Sequence, residues 1–217
     1  MDSEVQEEIK RFNGLIDEEA ARLLVMARKG ELPQITINNL KESTLSLTAR
    51  VMHIGTREKD VVKMVVGDET GYALLKLWDH NVGVARHVRE GDSIHVANAW
   101  VKKRSYGMEI NVGKYGMIER VERDIPAPIT FGKRDGLFNL KGTLRKKFPT
   151  TMYVDDVEHF MCRIVVDGDE IFLLDERARD IQRFCEGDTI ALLWLYRRNG
   201  GIYADEWSKI VNGDDFP

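Results

Sequence analysis

The chain has 217 residues, 43% hydrophobic and 31% charged, with a formal net charge of −4. That length holds one large domain or two small ones, each with room for a core, and the composition is that of an ordinary globular protein. The longest apolar runs are as short as Ala191–Tyr196, which excludes a membrane-spanning helix.

The start, MDSEVQEE, is acidic where a signal peptide is basic and then apolar, so an intracellular protein is expected. Cys162 and Cys185 have the spacing of neither a disulfide framework nor a zinc site. Each lies in an apolar pattern and is expected in a core. The five histidines form no His-x-x-x-His pair, and neither a metal nor another cofactor is expected. The charge is unevenly spread: residues 1–34 carry a net of −3, residues 35–123 a net of +3, and residues 124–217 a net of −4. The middle segment is the basic one, and distribution matters more than the total.

Val5, Ile9, Phe12 and Ile16 recur at helical spacing. Asp17 is a good N-cap for a second helix with Ala20, Leu23, Leu24 and Ala27 on its apolar face and Gly30 as its stop. The first 34 residues are thus predicted to be a helical hairpin that packs or docks. From Leu45 the period becomes two, with Leu45, Leu47, Ala49 and Val51 on one face. Strands follow at Val61–Val66 and Tyr72–Trp78, then a short helix within 79–89, a strand at Ser93–Val101, a loop, and a strand from Met108 to Val112. Five strands with a helix between the third and fourth is the order of an OB-fold barrel. Pro126 and Pro128 mark a linker over 124–132, after which the order repeats. Strands are expected at Leu137–Arg145, His159–Val166, Ile171–Leu174, Thr189–Tyr196 and Ile202–Trp207, with a helix at Arg177–Cys185.

EGDSI at 90–94 and EGDTI at 186–190 stand 96 residues apart, as do Asp79 and Asp175. Trp100 and Trp194, each seven residues before a glycine, form a further pair. Two tandem five-stranded OB-fold barrels are therefore predicted after the helical hairpin, spanning 35–123 and 133–211, with an acidic tail over 212–217.

Trp78 shares a strand face with Leu74 and Lys76, opposite Leu75 and Leu77. It is either a base-stacking platform or a cap on the barrel core. Tyr106 sits in the loop after WVKKR, beside Lys102, Lys103 and Arg104, where neither ring nor charges have a core to enter. A charged loop tip also deters edge pairing, which accounts for the lysines but not for the tyrosine. Arg57, Lys59 and Lys63 lie in and after the loop joining the first two strands, beside the same face, where they line a phosphate path or solvate a turn. The pattern assigns Trp100 no face, and a core position is expected for it, as for Trp194.

IGTREKD, GDETGYALLKLWD, EGDSIHV and WVKKRSYGMEINVGKYG resemble a DNA-binding OB domain of archaeal replication protein A, over roughly residues 35–122. The helical segment is similar to that family as well. The resemblance implies that Trp78 and Tyr106 stack on bases while Lys76, Lys102, Lys103, Arg104 and Arg57 meet phosphates; Lys63 is assigned to the same path by its position after the first loop. The second barrel departs from the pattern, with Leu174 in place of Trp78 and RRNGG as its loop, though Phe172 and Tyr203 leave stacking open. It is acidic, and a protein-contact role is favoured for it. The family's zinc-binding cysteines are absent. The ending NGDDFP is similar to partner-recruiting tips of bacterial single-stranded-DNA-binding proteins, but a frayed tail is the expectation.

No phosphate loop, Gly-x-Ser-x-Gly elbow or His-Glu-x-x-His pair is present, and carboxylates fall mostly in turns. A non-catalytic, sequence-neutral single-stranded-DNA-binding protein of replication, repair and recombination is expected, cytoplasmic or at the nucleoid. Protein partners would meet the helices, the second barrel or the tail. The rivals are a protein-interaction subunit and an RNA-binding OB protein.

Overall fold

The computed structural model describes residues 3–14, 16–29, 35–154 and 158–216. They divide into two compact units, one comprising residues up to Lys103 with Met108–Ala127, the other Arg104–Gly107 with residues 128–217. Among the described residues no helix is long and apolar enough to cross a membrane.

In the first unit α1 (Ser3–Arg11) and α2 (Glu18–Lys29) form the expected hairpin. Asp17 directly precedes α2, and its carbonyl accepts the Ala21 N–H at 3.0 Å. Gly30 and the side chains of Ala20, Leu23 and Ala27 lie outside the described set. Val5, Ile16, Ala21, Leu24 and Val25 bury against Ala97, with Ile9, Phe12 and Met117 at the margin. Among the described residues, these apolar side chains of the hairpin are spent on their own barrel. Arg11 adds an ion pair to Glu119 at 2.8 Å.

The barrel comprises β1 (Thr44–Arg57), β2 (Val61–Gly67), β3 (Tyr72–Trp78), β4 (Ser93–Arg104) and β5 (Gly107–Val112), with a further strand β6 (Met117–Val121) on β4. It closes because β1 is long enough to pair with β2 through one half and β4 through the other. Register shifts between Val51 and His53 and between Ile54 and Arg57 bend it. β3 and β5 run parallel, joined by α3 (Asn81–Val84), a 3-10 turn and β4. The interior is filled by Leu47, Val51, Met64, Leu75, Leu77, Ile94, Val96, Ile110 and Val112. Truncating any such leucine to alanine costs about 2–5 kcal/mol.

In the turn between β2 and β3 the Asp68 carboxylate serves the backbone, as expected. Asp68 Oδ1 accepts from the N–H groups of Thr70 and Gly71, and Oδ2 from Ile37 N–H at 2.7 Å. Beyond β6 the chain stays on this barrel: Ile125 N–H donates to Ser93 Oγ at 3.1 Å, and Ala127 is buried.

The second unit repeats the plan with β7 (Phe138–Lys147), β8 (Thr151–Val154), β9 (Glu158–Val166), β10 (Asp169–Leu174), α4 (Glu176–Asp180), β11 (Thr189–Arg198), β12 (Gly201–Ala204) and β13 (Lys209–Asn212). β10 and β12 are parallel, as β3 and β5 are. The two EGD turns match in detail. Gly91 and Gly187 both have positive φ, and their N–H groups donate to Val51 O and Leu144 O, each at 2.8 Å. Asp79 and Asp175 are both left-handed, at φ 54° and 46°.

The offset of 96 also joins Asn98 to Trp194, both left-handed at φ 52° and 58° and each at a register shift against the first strand of its barrel. The pairing of Trp100 with Trp194 is thereby corrected: the counterpart of Trp100 is Tyr196. Cys162 is buried, but Cys185 is exposed rather than core. The C-terminal segment is not frayed either. Residues Gly213–Asp215 form a 3-10 turn capped by Asn212, and the Phe216 ring packs edge-on against Phe131 at 5.6 Å.

Candidate nucleic-acid interface

Trp78 ends β3. Alternation puts Leu77 in the core and Trp78 outside, where 38% of its surface is exposed. Its Nε1–H donates to Asn111 Oδ1 on β5 at 3.3 Å, which fixes the ring. A cleft of about 440 Å³ opens beside it, lined by Lys59, Asp60, Trp78, Asp79 and Gly113. A second hollow, about 300 Å³, is lined by Arg57, Glu58, Lys59, Val62, Val82 and Arg86. Lys59 borders both, and Arg57, Lys59 and Arg86 are all exposed. An exposed ring with Lys59 beside it, and Arg57 and Arg86 on the hollow that Lys59 shares, offers one surface for stacking and others for phosphate contact.

Lys63 and Lys76 stand directly opposite each other on β2 and β3. Like charges so placed repel, and each holds a carboxylate: Lys63 reaches Glu58 at 3.3 Å and Lys76 reaches Glu109 at 2.8 Å. Glu109 is nearly fully buried, and its other oxygen accepts from Asn111 Nδ2 at 3.0 Å. Lys76, Glu109, Asn111 and Trp78 thus form one chain of polar contacts across β3 and β5.

Trp100 reverses its expectation. It is 54% exposed, with Lys102 Nζ 3.8 Å above the ring centroid, a cation–π pair. Lys103 is exposed and its backbone N–H is held by Glu42. The loop residues Arg104–Gly107 belong to the second compact unit. There the half-buried Tyr106 ring lies 5.0 Å from Trp207 and 5.9 Å from Tyr196. Tyr106 therefore groups with an aromatic cluster, while Trp78 groups with Lys59 and the cleft.

That cluster continues through Tyr196, Tyr203 and Phe172, stacked at 5.7 and 5.2 Å. Trp194 is buried, as expected. Tyr196 donates to Asp205 Oδ2 at 3.2 Å. Burial first, and the Asp205 carboxylate second, push the Tyr196 hydroxyl above its ordinary range, and burial likewise raises Asp205. Among the described residues no three His, Cys, Asp or Glu side chains gather as a metal ion would need. Sequence patterning passed over Asn111 and Gly113, which the end of β5 brings to Trp78, and Arg86, which the turn after α3 brings to the hollow shared with Lys59.

No family model matches the chain. A stretch of 98 residues is 28% identical to the single-stranded DNA binding protein Ssb of Saccharolobus solfataricus, covering 41% of this chain and 64% of that relative, so under two thirds of the relative's length is spanned. Among solved structures, a replication protein A heterotrimer bound to ssDNA matches 82% of this chain and 51% of its own, at 14% identity and a TM-score of 0.45. A replication factor A related protein from Methanobacterium thermoautotrophicum matches 42% of this chain and 92% of its own, at 23% identity and a TM-score of 0.37. In sequence, the chain is similar to an archaeal single-stranded-DNA-binding protein over 41% of its length.

Proposed function

We propose that the first barrel binds single-stranded DNA without catalysis, stacking a base on Trp78 while phosphates run past Arg57, Lys59 and Arg86. The observation that carries this reading is the exposed Trp78 in a cleft that Lys59 borders, with Arg57 and Arg86 on the second hollow that Lys59 also lines. Trp100 with Lys102 adds a second exposed ring and charge, and Lys103 and Arg104 extend the charge along the hairpin. Lys63 and Lys76 serve the groove less directly, because each already neutralises a carboxylate. Tyr106 offers a base only the part of its surface that Trp207 leaves open. Such contacts read no base edges, so most of the groove is indifferent to sequence. Protection of strands exposed in replication, repair and recombination is the role that fits.

The second barrel suits a protein contact. Its edge strand β8 exposes Met152, Tyr153 and Val154, and exposed apolar groups on an edge favour pairing with another chain. Among the described residues of the helices and the tail, Val5, Ile16, Ala21, Leu24, Val25 and Phe216 are packed within their own units, which leaves them less to offer a partner.

Fluorescence anisotropy of a labelled oligothymidine, repeated over a salt series and with matched RNA as competitor, tests the proposal. Tight binding that weakens with salt by about 0.7 log units per log unit of salt for each phosphate neutralised supports it. Absence of binding, or stronger competition by RNA than by DNA, overturns it.

A further inference from the structure

Stacking and phosphate contact leave two carboxylates of the cleft unused. Asp60 and Asp79 are both exposed and line the cleft with Lys59 and Gly113. Val61 faces Trp78 at the last paired position of β2 and β3, and Asp60 and Asp79 are the residues next to that pair, one beyond each strand, both lining the cleft. A methyl group on Gly113 would lie 3.9 Å from Asp79 Oδ2, which fixes that carboxylate on the cleft wall. Neither carboxylate has a hydrogen-bond or ion-pair partner among the described residues.

The second barrel shows what the same position does when it serves the fold. Asp175, the left-handed counterpart of Asp79, accepts the Phe160 N–H at 2.9 Å and lies 3.1 Å from His159 Nδ1. Arg163 faces Phe172 as Lys63 faces Lys76, so Phe160 and His159 occupy the register positions of Asp60 and Lys59. Asp79 has no such employment and stands open beside an exposed tryptophan.

A carboxylate repels a phosphate backbone, so a strand lying in this cleft would meet these two with a base edge. A carboxylate offers acceptors alone. Guanine presents N1–H and N2–H₂ side by side, matching both carboxylate oxygens. Thymine presents one N3–H between two carbonyls, which a carboxylate repels.

We propose that Asp60 and Asp79 read the edge of the base stacked on Trp78, favouring guanine over thymine at one position of an otherwise sequence-indifferent groove. The inference rests on the DNA-binding reading above and adds base selectivity to it.

The test compares a short oligothymidine with the same oligomer carrying a single guanine or a single inosine, each placed at successive positions. The proteins are wild type and Asp60→Asn/Asp79→Asn. Asparagine tolerates the left-handed backbone of position 79, so the double variant keeps the turn. One guanine position should tighten wild-type binding about tenfold, inosine should give a smaller gain for want of N2–H₂, and the double variant should bring the ratio near one. Equal wild-type affinity for all three oligomers overturns the base reading and leaves DNA binding standing, as does a guanine preference that survives the double variant. Failure of wild type to bind any oligomer overturns both.

Discussion

Lys76 and Glu109 meet at 2.8 Å across the parallel strands β3 and β5, and the carboxylate is almost wholly enclosed. A buried carboxylate that loses its cation keeps its desolvation penalty, at about 3–5 kcal/mol. Lys76→Ala should therefore lower stability by about 3 kcal/mol in urea unfolding. Lys76→Met/Glu109→Leu, which removes both charges, should recover most of the loss. A stable Lys76→Ala would show that the pair does not hold the two strands. For the same reason Lys76→Ala is a poor gauge of phosphate contact.

Arg57 and Lys59 are exposed and border the clefts near Trp78. Arg57→Gln and Lys59→Gln should each leave thermal stability unchanged and make the salt dependence of DNA binding shallower by about 0.7 in log–log slope. An unchanged slope in both variants would take the phosphate path away from this side of the barrel.

Trp100→Ala and Lys102→Gln change the exposed ring and the half-buried lysine above it. Stacking on an aromatic is worth about 1–3 kcal/mol per base, so Trp100→Ala should weaken binding about tenfold on an oligomer long enough to reach it. Lys102→Gln should weaken it less. Wild-type affinity in both variants would make the pair a surface ornament of β4.

Burial raises Asp205 above the ordinary carboxylate value of 3.8, so the folded protein binds that proton more tightly than the unfolded chain. The stability this contributes is complete below pH 3.8 and is lost as pH rises through the raised value. Asp205→Asn should flatten that fall in a stability–pH profile taken upward from pH 3.8. A profile unchanged by the substitution would show that another group is responsible.

The alternation of Leu45–Val51, the turn residues and the offset of 96 made both barrels legible in the sequence. Trp100 was not, for a local reason. Core positions of β4 are Ile94 and Val96 before Asn98, then Ala99 and Val101 after it. The left-handed residue at 98 shifts the register by one and turns Trp100 to solvent. Periodicity cannot foresee such a shift, since nothing in a period of two marks an asparagine as a bulge rather than a strand residue. The short strands β6, β8 and β13 escaped for a different reason: they are held by pairing with longer neighbours, not by alternation of their own. At the site, the end of β3 gave Trp78, but Gly113 reaches it, and Arg86 reaches the hollow beside Lys59, only through the fold.

The most direct test uses intrinsic fluorescence. Trp194 and Trp207 are buried, whereas Trp78 and Trp100 are exposed, so bases can reach only the latter two rings. Wild type, Trp78→Ala and Trp100→Ala should be titrated with an oligothymidine at low and moderate salt. Strong quenching is expected in wild type, with loss of much of it in Trp78→Ala, about tenfold weaker affinity and unchanged thermal unfolding. Wild-type affinity and undiminished quenching in Trp78→Ala would contradict base stacking on Trp78.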